Sequence, residues 1–216
     1  MNNQIKAVFW DFGGVILSSP FDAFNRYEEA HGLPKDFIRG INARNPQDNA
    51  WAKLERSDID PAGFSDLFQV EAEAMGHSVP GSDVLKLLSG DVRPEMVEAL
   101  HRVRRQFTIA CLTNNVRSGS GPGMARSAEK AAEIAEIMTL FHHVVQSSQV
   151  GVRKPEPRFY EIACEMAGVK ATDVVFLDDL GINLKPAKAI GMQTIKVLNA
   201  EQALTDLETI IEIPLR

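Results

Sequence analysis

Residues Val174–Ile195, VVFLDDLGINLKPAKAIGMQTI, carry the reading that decides the fold. A short apolar run, Val174-Val175-Phe176-Leu177, ends abruptly in two carboxylates, Asp178 and Asp179. A strand buried on both faces of a parallel sheet has this form, and ligands of such sheets sit at the carboxyl ends of the strands. Two adjacent carboxylates there repel each other unless a cation lies between them. Mg2+ suits that place, because it takes oxygens from a few carboxylates plus substrate phosphate. A solvated acidic turn is the competing reading of this segment taken alone.

Working outward, the amino-terminal stretch Ile5–Phe12, IKAVFWDF, repeats the design. An apolar run delivers a carboxylate, Asp11, and Gly13 and Gly14 follow, allowing a turn that β-branched residues could not make. A cap or turn role for Asp11 is the alternative. A third run, Phe107–Leu112, ends in Thr113-Asn114-Asn115. A hydroxyl and free N–H groups at a strand end suit phosphate oxygens, and they also suit an ordinary turn. In Gly151-Val152-Arg153-Lys154-Pro155-Glu156-Pro157, a lysine stands beside prolines on a stiff stretch at a helix entrance. In isolation that lysine reads as a surface residue.

Between the first two strand-like runs the pattern is helical throughout. Helices are expected at Phe21–His31, Pro34–Ala43, Gln47–Arg56, from Asp60-Pro61 to Gly76, and from Ser82 through Leu88. From Arg93 onward helices and strands alternate: helix Pro94–Arg105, strand Phe107–Leu112, helix Ala125–Leu140, strand His143–Gln146, helix Glu156–Ala167, strand Val174–Asp178, helix Ile182–Ile190, strand Gln193–Leu198 and a last helix Glu201–Ile211. Pro186 is expected in the first turns of its helix, where a missing donor matters less. The alternation gives an α/β fold, a doubly wound parallel sheet of Rossmann-like type. An inserted helical cap, residues 18–88, divides the core into 1–17 and 89–216.

Asp11, Thr113, Lys154 and Asp178-Asp179 follow one another in the order of the four motifs of the haloacid dehalogenase superfamily. The chain resembles that superfamily along nearly its whole length. QVGVRKPEPRFY and VVFLDDLGINLKPAKAIGM are similar to the amino-terminal phosphatase domain of soluble epoxide hydrolases. TNN and DFGGV are less specific but fall in the right places. The resemblance implies that Asp11 is a nucleophile forming an aspartyl-phosphate. It implies Mg2+ held by Asp11, the Gly13 carbonyl and Asp179, with Asp178 a second, water-bridged or supporting acid. It implies Thr113 and the Asn114 N–H on phosphate oxygens, and Lys154 neutralising nucleophile and phosphate.

One residue departs from the family pattern. Phosphatases of this kind usually carry a second Asp two residues after the nucleophile, and here Gly13 stands there. The carbonyl survives as a metal ligand; the acid–base group does not. Such a group contributes about 10²–10⁴-fold. Slow turnover, easily leaving groups, a proton donor from elsewhere, or binding without efficient turnover are the consequences open. Asp22 and Asp48 are candidate donors, with solvent-exposed or capping roles as the alternative.

Composition fits a soluble globular protein: 216 residues, 44% hydrophobic, 24% charged, formal net charge −6. With no basic block, nucleic acid is not an expected partner. No apolar run approaches a membrane span of roughly 20 residues. The start MNNQIKAVFW has no signal-peptide anatomy, and Cys111 and Cys164 read as separate free thiols, so a cytoplasmic location is expected. The loop SGSGPG lacks the lysine of a phosphate-binding loop and reads as a connector.

Three functions compete: a Mg2+-dependent phosphatase of a small phosphorylated metabolite, a metal-independent dehalogenase, and a phosphate-ligand binding protein with weak or lost catalysis. Substrate and oligomeric state are left open by the residues. Contacts to substrate are expected first at Asn45–Trp51, although Trp51 also reads as cap core.

Overall fold

The computed structural model describes residues 5–115 and 127–216. Strand β1 (Ala7–Trp10) is followed by helices α1 (Phe21–Ala30), α2 (Phe37–Ala43), α3 (Ala50–Arg56), α4 (Pro61–Glu73) and α5 (Gly81–Lys86). Then come α6 (Pro94–Val103), β2 (Thr108–Thr113), α7 (Ala128–Met138), β3 (His143–Gln146), α8 (Ser147–Val150), α9 (Pro157–Ala167), β4 (Val174–Asp178), α10 (Gly181–Ala189), β5 (Gln193–Lys196) and α11 (Ala200–Ile211). Among the described residues the strands form one sheet in the order β3-β2-β1-β4-β5, with every neighbouring pair parallel.

The period-two alternation of each strand feeds two cores. Val8, Trp10, Ile109, Cys111, Val175 and Leu177 face α6, α7 and α11, and Ala7, Phe9, Ala110, Leu112, Val174 and Phe176 face α9 and α10. Each fully buried aromatic such as Phe9 or Phe176 contributes roughly 2 kcal/mol of hydrophobic stabilisation. Trp10 pairs with both Cys111 and Leu177, so Asp11, the next residue, stands level with Leu112 and Asp178. Register alone therefore brings the first and last acids to one sheet end.

Helices α1 to α5 enclose a third cluster, with Phe24, Ile38, Leu54, Phe64 and Phe68 at its centre. The two connections to the sheet run antiparallel and bond to each other: Ser18 N–H to Asp91 O at 2.7 Å, and Arg93 N–H to Ile16 O at 2.9 Å. In α4 the Asp60 carboxylate accepts the Gly63 N–H at 2.8 Å and Pro61 opens the helix, as the sequence leads one to expect.

Helices α2 and α3 start later than their patterns suggest. The buried Glu28 of α1 accepts the N–H groups of Asp36 and Ile38 at 2.8 and 2.9 Å, fixing the start of α2 from outside. Asn49 caps α3 through Ala52 N–H, and its amide donates to Asn42 O and Arg44 O. Pro186 is the sixth residue of α10, inside the helix and past the first turn, whose N–H groups need no intrahelical partner, so its missing donor falls where one would have been used. The short helix α8, directly after β3, has no counterpart in the sequence reading. SGSGPG and the start of the helix expected from Ala125 lie outside the described residues. Cys111 and Cys164 are free thiols. Among the described residues no helix is long and apolar enough to cross a membrane.

Candidate active site

β1, β2 and β4 bring Asp11, Thr113 and Asp178 to the same end of the sheet, and the segment before α9 sends Lys154 beneath them. Lys154 is 1% exposed, and its Nζ lies 2.8 Å from Asp11 Oδ1 and 2.8 Å from Asp178 Oδ2. Burial works against its charge, but Asp11 and Asp178 outweigh it and hold the ammonium well above its ordinary pKa. Asp178 is fully buried, with both oxygens engaged. Asn183 donates to each, at 3.1 and 3.0 Å, and Leu180 N–H to Oδ1 at 2.8 Å.

Asp11 and Asp179 are less compensated. Burial raises Asp11 well above the usual carboxylate range against the pull of Lys154, and Asp178 and Asp179 raise it further. Asp179 is pushed up to about 6, first by burial and then by Asp178, with Lys154 and Ser19 opposing. Three carboxylates against one ammonium leave a negative floor that calls for a cation. Oxygens of Asp11, Asp178 and Asp179 lie within 4.8 Å of one another. Because Asp178 is saturated by its partners, Asp11 and Asp179 are the acids with ligand capacity to spare. Two carboxylates with room for phosphate and water match Mg2+.

The turn after Asp11 makes this possible. Gly14 has φ of +76°, and a Cβ there would overlap the Asp179 carboxylate. Gly13 has φ −68° and ψ 134°, with nothing within 4 Å of where its Cβ would stand. The backbone there is open to any residue.

Thr113 is buried at the floor. Asn114 folds its side chain onto the lysine segment: Oδ1 accepts Lys154 N–H at 2.9 Å, and Nδ2 donates to Lys154 O at 3.0 Å. Asn115 ties the same loop to α8 through Ser147 and Ser148. A cavity of about 920 Å³ opens above, lined by Asp11, Gly13, Thr113, Asn114, Lys154 and Asp179 below and by α1 to α3 above. From the expected contact stretch, Pro46, Gln47 and Trp51 line it, and Trp51 also packs edge-on against Phe64 at 5.3 Å.

Asp48 is turned outward beside Lys53, with its side chain 66% exposed, and is not among the cavity residues. The Asp22 side chain lies outside what the structure describes. The sequence reading missed Asn183, Glu55 and Arg153. Asn183 had a signal, a polar residue in the first helical turn after the paired acids. Glu55 and Arg153 had none, since each depends on a partner far along the chain.

A family model described as haloacid dehalogenase-like hydrolase matches residues 5–191. Bifunctional epoxide hydrolase 2 of Mus musculus is 30% identical over 95% of this chain and 39% of its own length. Phosphatase MT3486 of Mycobacterium tuberculosis is 32% identical over 88% of this chain and 86% of its own length. The chain spans two fifths or less of the length of several curated relatives it matches. A HAD family enzyme of Bacteroides thetaiotaomicron, solved with magnesium and inorganic phosphate, superposes with a TM-score of 0.59 at 20% identity, covering 94% of this chain and 98% of that one. That likeness is one of fold.

Proposed function

The chain belongs to the haloacid dehalogenase-like hydrolases, and on that premise we propose that it is a Mg2+-dependent phosphatase of small phosphorylated metabolites. The observation that carries this reading is the convergence of Asp11, Asp178, Asp179 and the buried Lys154 on one cavity floor.

Asp11 is the nucleophile. One carboxylate oxygen attacks phosphorus, the bond from phosphorus to the ester oxygen breaks, and an aspartyl-phosphate forms. Water then attacks phosphorus and frees the carboxylate. Asp11, Asp179 and the Gly13 carbonyl, with Asp178 in support, would hold Mg2+, which would neutralise phosphate charge. Lys154 favours the ionised form of Asp11, opposing the burial that raises its carboxyl, and adds a positive charge beside the incoming phosphate. The Thr113 hydroxyl and the Asn114 N–H receive phosphate oxygens. Asn183 holds Asp178, and Asp178 holds Lys154. Residues 18–88 act as a cap over the cavity and select the substrate.

Gly13 offers no proton to the leaving oxygen, and slow turnover follows from that. The absence of an acid–base side chain at Gly13 also favours a second reading, phosphate binding with little turnover. A metal-independent dehalogenase is less well supported, because three carboxylates with oxygens within 4.8 Å of one another repel unless a cation lies among them.

The test is release of inorganic phosphate from a panel of phosphate esters and acyl phosphates, with a 2-haloacid alongside. Turnover that needs Mg2+, stops with EDTA and is lost in Asp11→Asn supports the proposal. Halide release indifferent to EDTA, or stabilisation by phosphate without turnover, refutes it.

A further inference from the structure

We propose that Glu55 is a positioning residue through which the inserted helices set the geometry of the phosphate site. The proposal rests on the phosphatase reading above. Glu55 stands in the last turn of α3, outside the sheet domain in sequence, yet it is 6% exposed and lines the cavity. Its Oε2 lies 2.6 Å from Arg153 Nε, an ion pair whose N–H is not aligned along the contact. The same oxygen accepts from Asn114 Nδ2 at 3.3 Å. Its backbone carbonyl accepts from Ser147 Oγ at 2.7 Å.

Two of these partners adjoin a residue given a role on the phosphate. Arg153 precedes Lys154, and Asn114 follows Thr113. Asn114 in turn grips both the N–H and the carbonyl of Lys154. Ser147 Oγ accepts the Asn115 N–H at 3.0 Å. Arg153 also donates to Pro46 O at 3.0 Å, ahead of α3. One carboxylate from the inserted helices thus joins the loop after β2 to the lysine segment.

The charges make the link demanding. Arg153 and Glu55 side chains are 12% and 8% exposed, so neither is well solvated alone. Burial raises the Glu55 carboxyl, and Arg153, then Lys154, oppose that. Removing the carboxylate strands the guanidinium beside Lys154 and releases the Asn114 amide. Lys154 keeps Asp11 and Asp178, so the nucleophile is spared while the phosphate cradle loosens. Docking of α3 and assembly of the cradle are therefore one event.

The test compares the parent protein with Glu55→Ala and Glu55→Gln, all with Mg2+. Steady-state kinetics on the best ester, product inhibition by inorganic phosphate and direct phosphate calorimetry are read together. Glu55→Ala is expected to weaken phosphate inhibition and lower kcat/KM by tenfold or more. Glu55→Gln, which can still meet Asn114, should recover part of the phosphate affinity. In a double-mutant cycle with Asn114→Ala the losses should be less than additive. A folded Glu55→Ala with kcat/KM and phosphate inhibition within twofold of the parent overturns the proposal. So does lower thermal stability with phosphate affinity unchanged, which assigns a purely structural role. If Glu55→Ala does not fold, Glu55→Gln decides by the same twofold criterion. A parent that binds phosphate without turnover refutes only the phosphatase reading, and calorimetry then decides this one. A parent that does neither overturns both.

Discussion

The Asp179 carboxylate occupies the space in which a side chain at Gly14 would begin. Gly14 also has φ of +76°, a region L residues rarely adopt. Gly14→Ala therefore meets two penalties, backbone strain of roughly 1 kcal/mol or more and displacement of Asp179. The variant is expected to lose at least tenfold in apparent Mg2+ affinity, read by titrating activity against Mg2+. An unchanged Mg2+ midpoint would mean that Asp179 does not hold the metal.

The neighbouring glycine has the opposite prospect. Gly13 has an ordinary extended backbone and free space at its Cβ. Gly13→Asp should fold with a melting temperature close to the parent's. If protonation of the leaving oxygen limits the rate, kcat on alkyl phosphates should rise by about 10-fold or more, within the usual reach of a positioned acid. Aryl and acyl phosphates, whose leaving groups need little protonation, should gain far less. Equal gains across all leaving groups, or none, would show that proton supply is not what limits this protein.

The sheet and its acids were legible in the sequence for one reason. Strands covered on both faces are continuous apolar runs, so Asp11, Thr113 and Asp178 stand out where the runs stop. Parallel pairing then makes register inevitable: with Trp10 opposite Leu177, Asp11 must stand level with Asp178. What the sequence hid depends on partners far away. Glu28 fixes the start of α2, and Glu55 meets Arg153, through contacts that leave no local pattern. The four-residue α8 is too short for periodicity to reveal. The sequence points to Asn114 as a phosphate ligand through its backbone, whereas its side chain is the strut that holds the lysine segment.

Lys154 is the sole cation touching both Asp11 and Asp178 among the described residues. Lys154→Met keeps much of the volume and leaves two buried carboxylates unpaired. Breaking a buried pair from one side costs about 3–5 kcal/mol. Chemical denaturation should show a loss of that order, together with loss of activity. Adding Asp178→Asn removes one of the stranded charges and should restore part of the stability but none of the activity. If Lys154→Met is as stable as the parent, the ammonium is not what holds these acids together.

Stability and Mg2+ response should both turn on pH through Asp179. Its carboxyl lies near 6 in the folded protein against 3.8 when unperturbed. A raised carboxyl means that the folded state binds the proton more tightly. The stabilisation this gives is complete below 3.8 and is lost as pH rises through about 6. Between pH 5 and 7 the metal-free protein should thus lose about 1 kcal/mol relative to Asp179→Asn, which has no proton to release. Mg2+ works the other way, since its ligands must be deprotonated. At pH 7 a concentration of 100 times Kd should stabilise the parent by about 2.7 kcal/mol. At pH 5 the proton competes, and the same concentration should do much less. Thermal melts at the two pH values, with and without Mg2+, for parent and Asp179→Asn, contain the whole comparison. An equal Mg2+ shift at both pH values would remove Asp179 from the metal site, and the same metal-free slope in both proteins would mean that its carboxyl is not raised by folding.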